Sequence, residues 1–131
     1  MADVVTVTTI NDGDKYLVVQ LQNVSDGTGE SAVQKVDISG ITASDGRVPV
    51  SLSLQEVQWN MQGINYVQLL FDATTDDEMV TLSGNGYKNL EDVGGINDPR
   101  STGYTGDINL TTSGATAGGT YDIICRFKKK Y

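Results

Sequence analysis

The chain has 131 residues, the size of one domain, and a domain of that size buries roughly two thirds of its unfolded surface, enough for a core of its own. With 17 Asp and Glu against 9 Lys and Arg and no His, the formal charge is −8, which sets the surface against phosphate backbones and argues against nucleic acid as a partner. A single cysteine, Cys125, excludes an intramolecular disulfide. The opening MADVVTVTTI lacks the charged start and long apolar run of a signal peptide, and no stretch approaches the roughly 20 apolar residues of a membrane span. Synthesis and folding in a cytoplasm, with no membrane partner, is the expectation.

Apolar residues recur with period two in segment after segment, bounded by Gly, Asn, Asp and Ser, and no segment reads as a helix. Val5 and Val7 open a first strand, and INDGDK places Asp12 and Gly13 where a tight hairpin turn needs residues tolerant of positive φ. YLVVQLQNV follows with Leu17, Val19 and Leu21 on one face, then the loop SDGTGES, then AVQKVDISGI with Val36 and Ile38 on a shared face. Pro49 suits the entry to a fourth strand, VSLSLQEVQW. There the apolar positions change parity, Val50, Leu52 and Leu54 being even and Val57 and Trp59 odd. A bulge near Gln55 and Glu56 puts all five on one side.

INYVQLLFD is apolar enough on both faces for a central strand, EMVTLSG answers it, and GDINLTT and TYDIICRFK close the chain. In the last, Tyr121, Ile123, Cys125 and Phe127 point one way and Asp122, Arg126 and Lys128 the other. The pattern predicts one all-β domain over 1–131, an antiparallel β-sandwich of seven or eight strands with the jelly roll as its eight-stranded form.

Two segments fall outside the alternation. Residues 84–106, GNGYKNLEDVGGINDPRSTGYTG, form a connection longer than the roughly 12 to 15 residues usual in a compact domain, and are predicted to be an arm that orders against a neighbouring subunit. Tyr87 and Tyr104 flank it and Arg100 lies within it. The strand end 126–131, RFKKKY, gathers Arg126, Lys128, Lys129 and Lys130 on an otherwise acidic chain, a set suited to docking on an acidic protein patch. These seven residues are the candidate protein interface.

Asp72, Asp76, Asp77 and Glu78 are a weak candidate for calcium, which takes six to eight oxygens, but DATTDDE lacks the ligand order of an EF-hand and reads as the turn of a hairpin. Without His, with Cys125 placed as a small buried side chain, and without a G-x-S-x-G elbow, no nucleophilic constellation is visible, and no cofactor motif either. A sugar-binding module is the rival reading, since β-sandwiches present aromatics as platforms; Trp59 shares its face with Val57 and is expected in the core.

Taken in order, GTGESAVQKVDISG, VQW, LLFDATTDDEMVTLSGNGY, GGI, TGDINLTT and GGTYDIICRFKK resemble a group of small structural proteins of tailed bacteriophages, especially phages of marine bacteria. The resemblance spans 29–129 and is most specific over 72–86. It implies a non-enzymatic virion component made in the host cytoplasm, a capsid decoration or cement protein that binds the major capsid protein or other virion proteins as a homo-oligomer. It brings no catalytic residues and no cofactor. A tail or connector component, or outside that class a carbohydrate-binding β-sandwich module, are the alternatives.

Overall fold

Period-two alternation is realised as ten strands: β1 (Val4–Asp12), β2 (Tyr16–Asp26), β3 (Val33–Val36), β4 (Ser51–Gln62), β5 (Tyr66–Phe71), β6 (Asp77–Leu82), β7 (Asn85–Asn89), β8 (Ile96–Asn97), β9 (Ile108–Ser113) and β10 (Ala117–Lys130). This is a computed structural model, and it describes residues 4–27, 29–41 and 44–131. Six strands form one antiparallel sheet in the order β1-β2-β10-β4-β7, with β8 pairing the same edge of β4, and the other four form a second in the order β3-β9-β5-β6. Apart from the β1–β2 and β5–β6 hairpins and the step from β7 to β8, every connection crosses between the sheets. The order β2-β10-β4-β7 facing β3-β9-β5-β6 is that of a jelly roll, with β1 added at one edge.

Eight of the strands lie where the alternation places them, and the first turn falls at Gly13, whose N–H donates to Tyr16 O (2.9 Å) without positive φ. The additional pair, β7 and β8, lies inside 84–106 and corrects the reading of that stretch as one long loop. β7 pairs with Glu56–Asn60 and β8 with Ser53 and Leu54, so two stretches of that connection are laddered onto β4. Its strands are short and polar, which is why no period shows in their letters. Gly86 sits opposite Trp59, and a Cβ there would come within 2.7 Å of the indole Cζ2. Only glycine lets β7 approach that ring.

The parity change in β4 is a bulge at the expected place. Arg126 pairs with Glu56 and Phe127 with Leu54, leaving Gln55 unopposed. Leu52, Leu54, Val57 and Met61 are all buried as a result, while Val50 precedes the strand and is exposed. Trp59 packs half-buried against the core, its Nε1–H donating to Ser83 O (2.8 Å). Opposite them in the core stand Val67, Leu69, Phe71, Ile108 and Leu110 of the smaller sheet, and beside them on the larger sheet lie Leu17, Val19, Leu21, Tyr121, Ile123, Cys125 and Phe127.

Deleting Gln55 removes the bulge while keeping Leu54 opposite Phe127, Glu56 opposite Arg126 and Val57 opposite Cys125, so Leu52, Leu54, Val57 and Met61 stay on the core face. We expect both that deletion and Gln55→Ala to retain a single sharp thermal transition; loss of cooperative unfolding on deletion would contradict the placement of the bulge at Gln55. Ile123→Ala should lower the free energy of unfolding by about 2–5 kcal/mol in urea titrations, as truncation of a fully buried isoleucine does.

Candidate functional site: the outer face of the six-stranded sheet

Registers on both sides of β10 line its outward side chains up with those of its neighbours. One row crosses five strands as Thr6, Gln22, Asp122, Asn60 and Asn85, and the next runs Thr8, Gln20, Ile124, Gln58 and Tyr87. Thr120 between Val24 and Gln62, and Arg126 between Val18 and Glu56, extend the face at its two ends. Gln20 Nε2 donates to Asp122 Oδ1 (3.0 Å) across the strands.

This face is hollowed. A depression of about 410 Å³ is lined by Thr6, Gln22, Val24, Asn60, Gln62, Thr120 and Asp122, with Asn23 and Tyr121 beneath. It shares Asn60 and Asp122 with a hollow of about 220 Å³ that adds Gln58 and Ile124. That one in turn shares Gln58 and Ile124 with a hollow of about 140 Å³ reaching Tyr87, Glu56 and Arg126. Together they make one groove along β10. Its amides both donate and accept, so one lining serves hydroxyls in either sense.

The floor is set from below. Tyr121 and Asn23 point inward, where the Tyr121 hydroxyl and Asn23 Nδ2 each donate to Glu30 Oε1 (2.6 Å). Lys35 Nζ donates to Glu30 Oε2 in an ion pair whose two side chains are almost wholly buried. Glu30 is itself pinned to β9, its N–H donating to Thr112 Oγ1 (2.8 Å).

At the other end Arg126 bridges Glu56 and Glu91 and lies over the Tyr16 ring at 4.8 Å, while the Tyr87 hydroxyl donates to Glu56 Oε2 (2.9 Å). Hydrogen bonds from Arg126 and then Tyr87 hold the Glu56 carboxyl below its usual range. The bond to Glu56 raises the Tyr87 phenol, and Glu91 foremost raises Arg126.

The structure brings together only part of the sequence-derived interface. Tyr87, 56% exposed, and Arg126 meet at Glu56. Arg100 is elsewhere, its guanidinium donating to Ser51 Oγ (3.1 Å), and Tyr104 lies on the segment that Thr105 ties to Asp72. Lys128 and Lys130 are partly exposed at the strand end. Lys129 corrects the expectation of an exposed basic tail. It continues the inward parity of Phe127 and is 4% exposed, its Nζ donating to Asp12 and to Ile41 O (3.0 Å).

The acidic turn is engaged with its own scaffold. Asn109 Nδ2 donates to Asp72 Oδ1 (3.0 Å) and Asp76 Oδ2 (3.1 Å), Thr105 Oγ1 to Asp72 Oδ2 (2.7 Å), and Ala73 N–H to Asp76 Oδ1 (3.2 Å). Every oxygen of those two carboxylates therefore has a donor from the protein. Glu78 is exposed and Asp77 half-buried. Burial pushes the Cys125 thiol up to about 12, which leaves it without thiolate character at neutral pH.

Lys129→Ala should cost about 2–3 kcal/mol, because it strands Asp12 and the Ile41 carbonyl, whereas Lys128→Ala and Lys130→Ala should each stay within about 0.5 kcal/mol in the same denaturant titration. Because the folded Glu56 carboxyl is depressed, its contribution is full above the ordinary value of 4.5 and is lost as pH falls through the lowered one. Glu56→Gln should accordingly flatten the acid limb of a melting-temperature profile below that pH. An unchanged slope would remove the Arg126–Glu56 contact from the acid response.

No family model matches the chain, and no curated protein matches it. Among solved structures, it is similar to a carbohydrate binding module of family 29 at 8% identity and a TM-score of 0.38, covering 98% of this chain and 89% of that one. A mutant of the module CBM29-2 gives 8% and 0.36 over 98% and 92%, and another, complexed with mannohexaose, 8% and 0.33 over 94% and 92%. Likenesses this distant leave function to be argued from this chain's own residues.

Proposed function

We propose that this protein is a non-enzymatic binding module whose six-stranded sheet takes a neutral glycan along its outer groove. The observation that carries this reading is the continuous lining of amides, threonines and one carboxylate over a hollow of about 410 Å³. Sugar hydroxyls present donors and acceptors at close intervals, and Gln22, Asn60, Gln62 and Asp122 answer with both. Tyr87 at the end of the groove supplies an aromatic face. The chain's −8 charge, with Asp122 at the centre of the groove, disfavours polyanions and favours uncharged chains.

Asn60→Ala and Asp122→Ala should each weaken binding of a neutral polysaccharide by about tenfold in affinity electrophoresis, the loss expected for one well-made hydrogen bond to a ligand. Lys130→Gln, outside the groove, should leave migration unchanged. Absence of retardation of the wild type across a panel of neutral polysaccharides contradicts the reading.

A second reading, virion decoration or cement, is supported by the resemblance over 29–129 and by a separate surface. β1 is an edge strand, and Val7 and Ile10 on it are exposed, so this edge offers both unpaired backbone and apolar contact to a capsid subunit or another copy. Purified particles should then contain the protein in lattice-related copy number. Its absence from virions, or a few copies confined to the tail, contradicts the cement role.

A further inference from the structure

We propose that Lys35 and Asn23 become joined by an intramolecular isopeptide bond, formed with Glu30 as acid and base, that ties the two sheets covalently. This inference is independent of the glycan reading. Asn23 continues the inward parity of Leu17, Val19 and Leu21 on β2, in the six-stranded sheet, and is 2% exposed. Lys35 belongs to β3 in the other sheet, where strict alternation would turn it away from the side that buries Val36. A bulge re-aims it: Gln34 pairs with Asn109 and Val36 with Ile108, Lys35 is left unopposed, and Lys35 and Val36 are both buried.

A single carboxylate stands between the amine and the amide. Asn23 Nδ2 donates to Glu30 Oε1 (2.6 Å) and Lys35 Nζ donates to Glu30 Oε2, so nucleophile and leaving group sit on the two oxygens of one group. The Tyr121 hydroxyl, also on Oε1 (2.6 Å), and the Glu30 N–H on Thr112 Oγ1 (2.8 Å) hold that carboxylate in place. The Lys35 and Glu30 side chains are 1% and 4% exposed, which keeps water from competing for the amide carbon. A buried ion pair gains little over apolar side chains of the same volume, so stability alone does not account for a lysine at this position.

The step balances without an added reagent. Glu30 takes a proton from the Lys35 ammonium, and the freed amine attacks Asn23 Cγ to make the new C–N bond. As the carbonyl re-forms, the Cγ–Nδ2 bond breaks and Glu30 gives its proton to the departing nitrogen. The new amide nitrogen sheds its extra proton through the same carboxylate, and ammonia carries that proton away as ammonium. Glu30 ends as it began, and nothing is oxidised or reduced. Holding amine and amide on one carboxylate supplies the effective concentration that this otherwise slow exchange requires.

The test is the mass of the full chain, folded first and then denatured, followed by a tryptic map. The wild type should weigh about 17 Da less than its sequence, the mass of one ammonia. Trypsin should spare Lys35 and give one peptide over 16–47 in place of 16–35 and 36–47, with no backbone fragments from within the closed ring between 23 and 35. Lys35→Arg and Glu30→Gln should each show the full mass of their own sequences, while Lys128→Arg keeps the deficit. The wild-type mass and map decide the matter whether or not a variant folds. A folded wild type of full mass overturns the proposal. So does a deficit with Lys35 still cleaved, as a succinimide would leave, or a deficit that persists in Lys35→Arg.

Discussion

The position of β10 between β2 and β4 constrains everything else in this molecule. It is laddered on both sides over most of its length, so each of its residues is assigned at once to the core or to the outer face. Tyr121, Ile123, Cys125 and Phe127 fill the sandwich because of it. Asp122 and Ile124, by the same parity, become the midline of the groove. A bulge at Gln55 absorbs the one extra residue that would otherwise put the two halves of β4 out of this parity.

Core and groove are therefore one structure seen from two sides. Tyr121 and Asn23 lie beneath the hollow and send their polar groups down to Glu30, which Lys35 neutralises and β9 anchors. Such a buried ion pair adds little net stability compared with an apolar substitute, and its use here is positional. It fixes the floor of the groove relative to the smaller sheet. At the opposite end Arg126, Glu56, Glu91, Tyr16 and Tyr87 form a shallower cluster on the surface, where charge pairs are screened and weaker.

Much of this architecture is legible in the letters, because alternation is a local property. Leu17, Val19 and Leu21, the four inward residues of β10 and the parity break at Gln55 all declare themselves within a few positions. β7 does not, since GNGYKN carries no apolar period and becomes a strand only because β4 offers it an edge and Gly86 clears the Trp59 ring. Lys129 was readable but overshadowed: its parity matches Phe127, while the run KKK suggests a solvated tail. The groove rows are invisible in principle from one segment, because they depend on the registers of five strands.

The most direct test of the account is to follow the side-chain amide resonances of this protein by NMR while neutral oligosaccharides are titrated in. The groove predicts that the NH₂ signals of Gln22, Gln58, Asn60 and Gln62 move together and saturate together, while those of Gln34 and Gln68 on the smaller sheet stay still. Shifts confined to the smaller sheet or to the β1 edge, or no saturable shift with any neutral sugar, would contradict the assignment of this face as the binding surface.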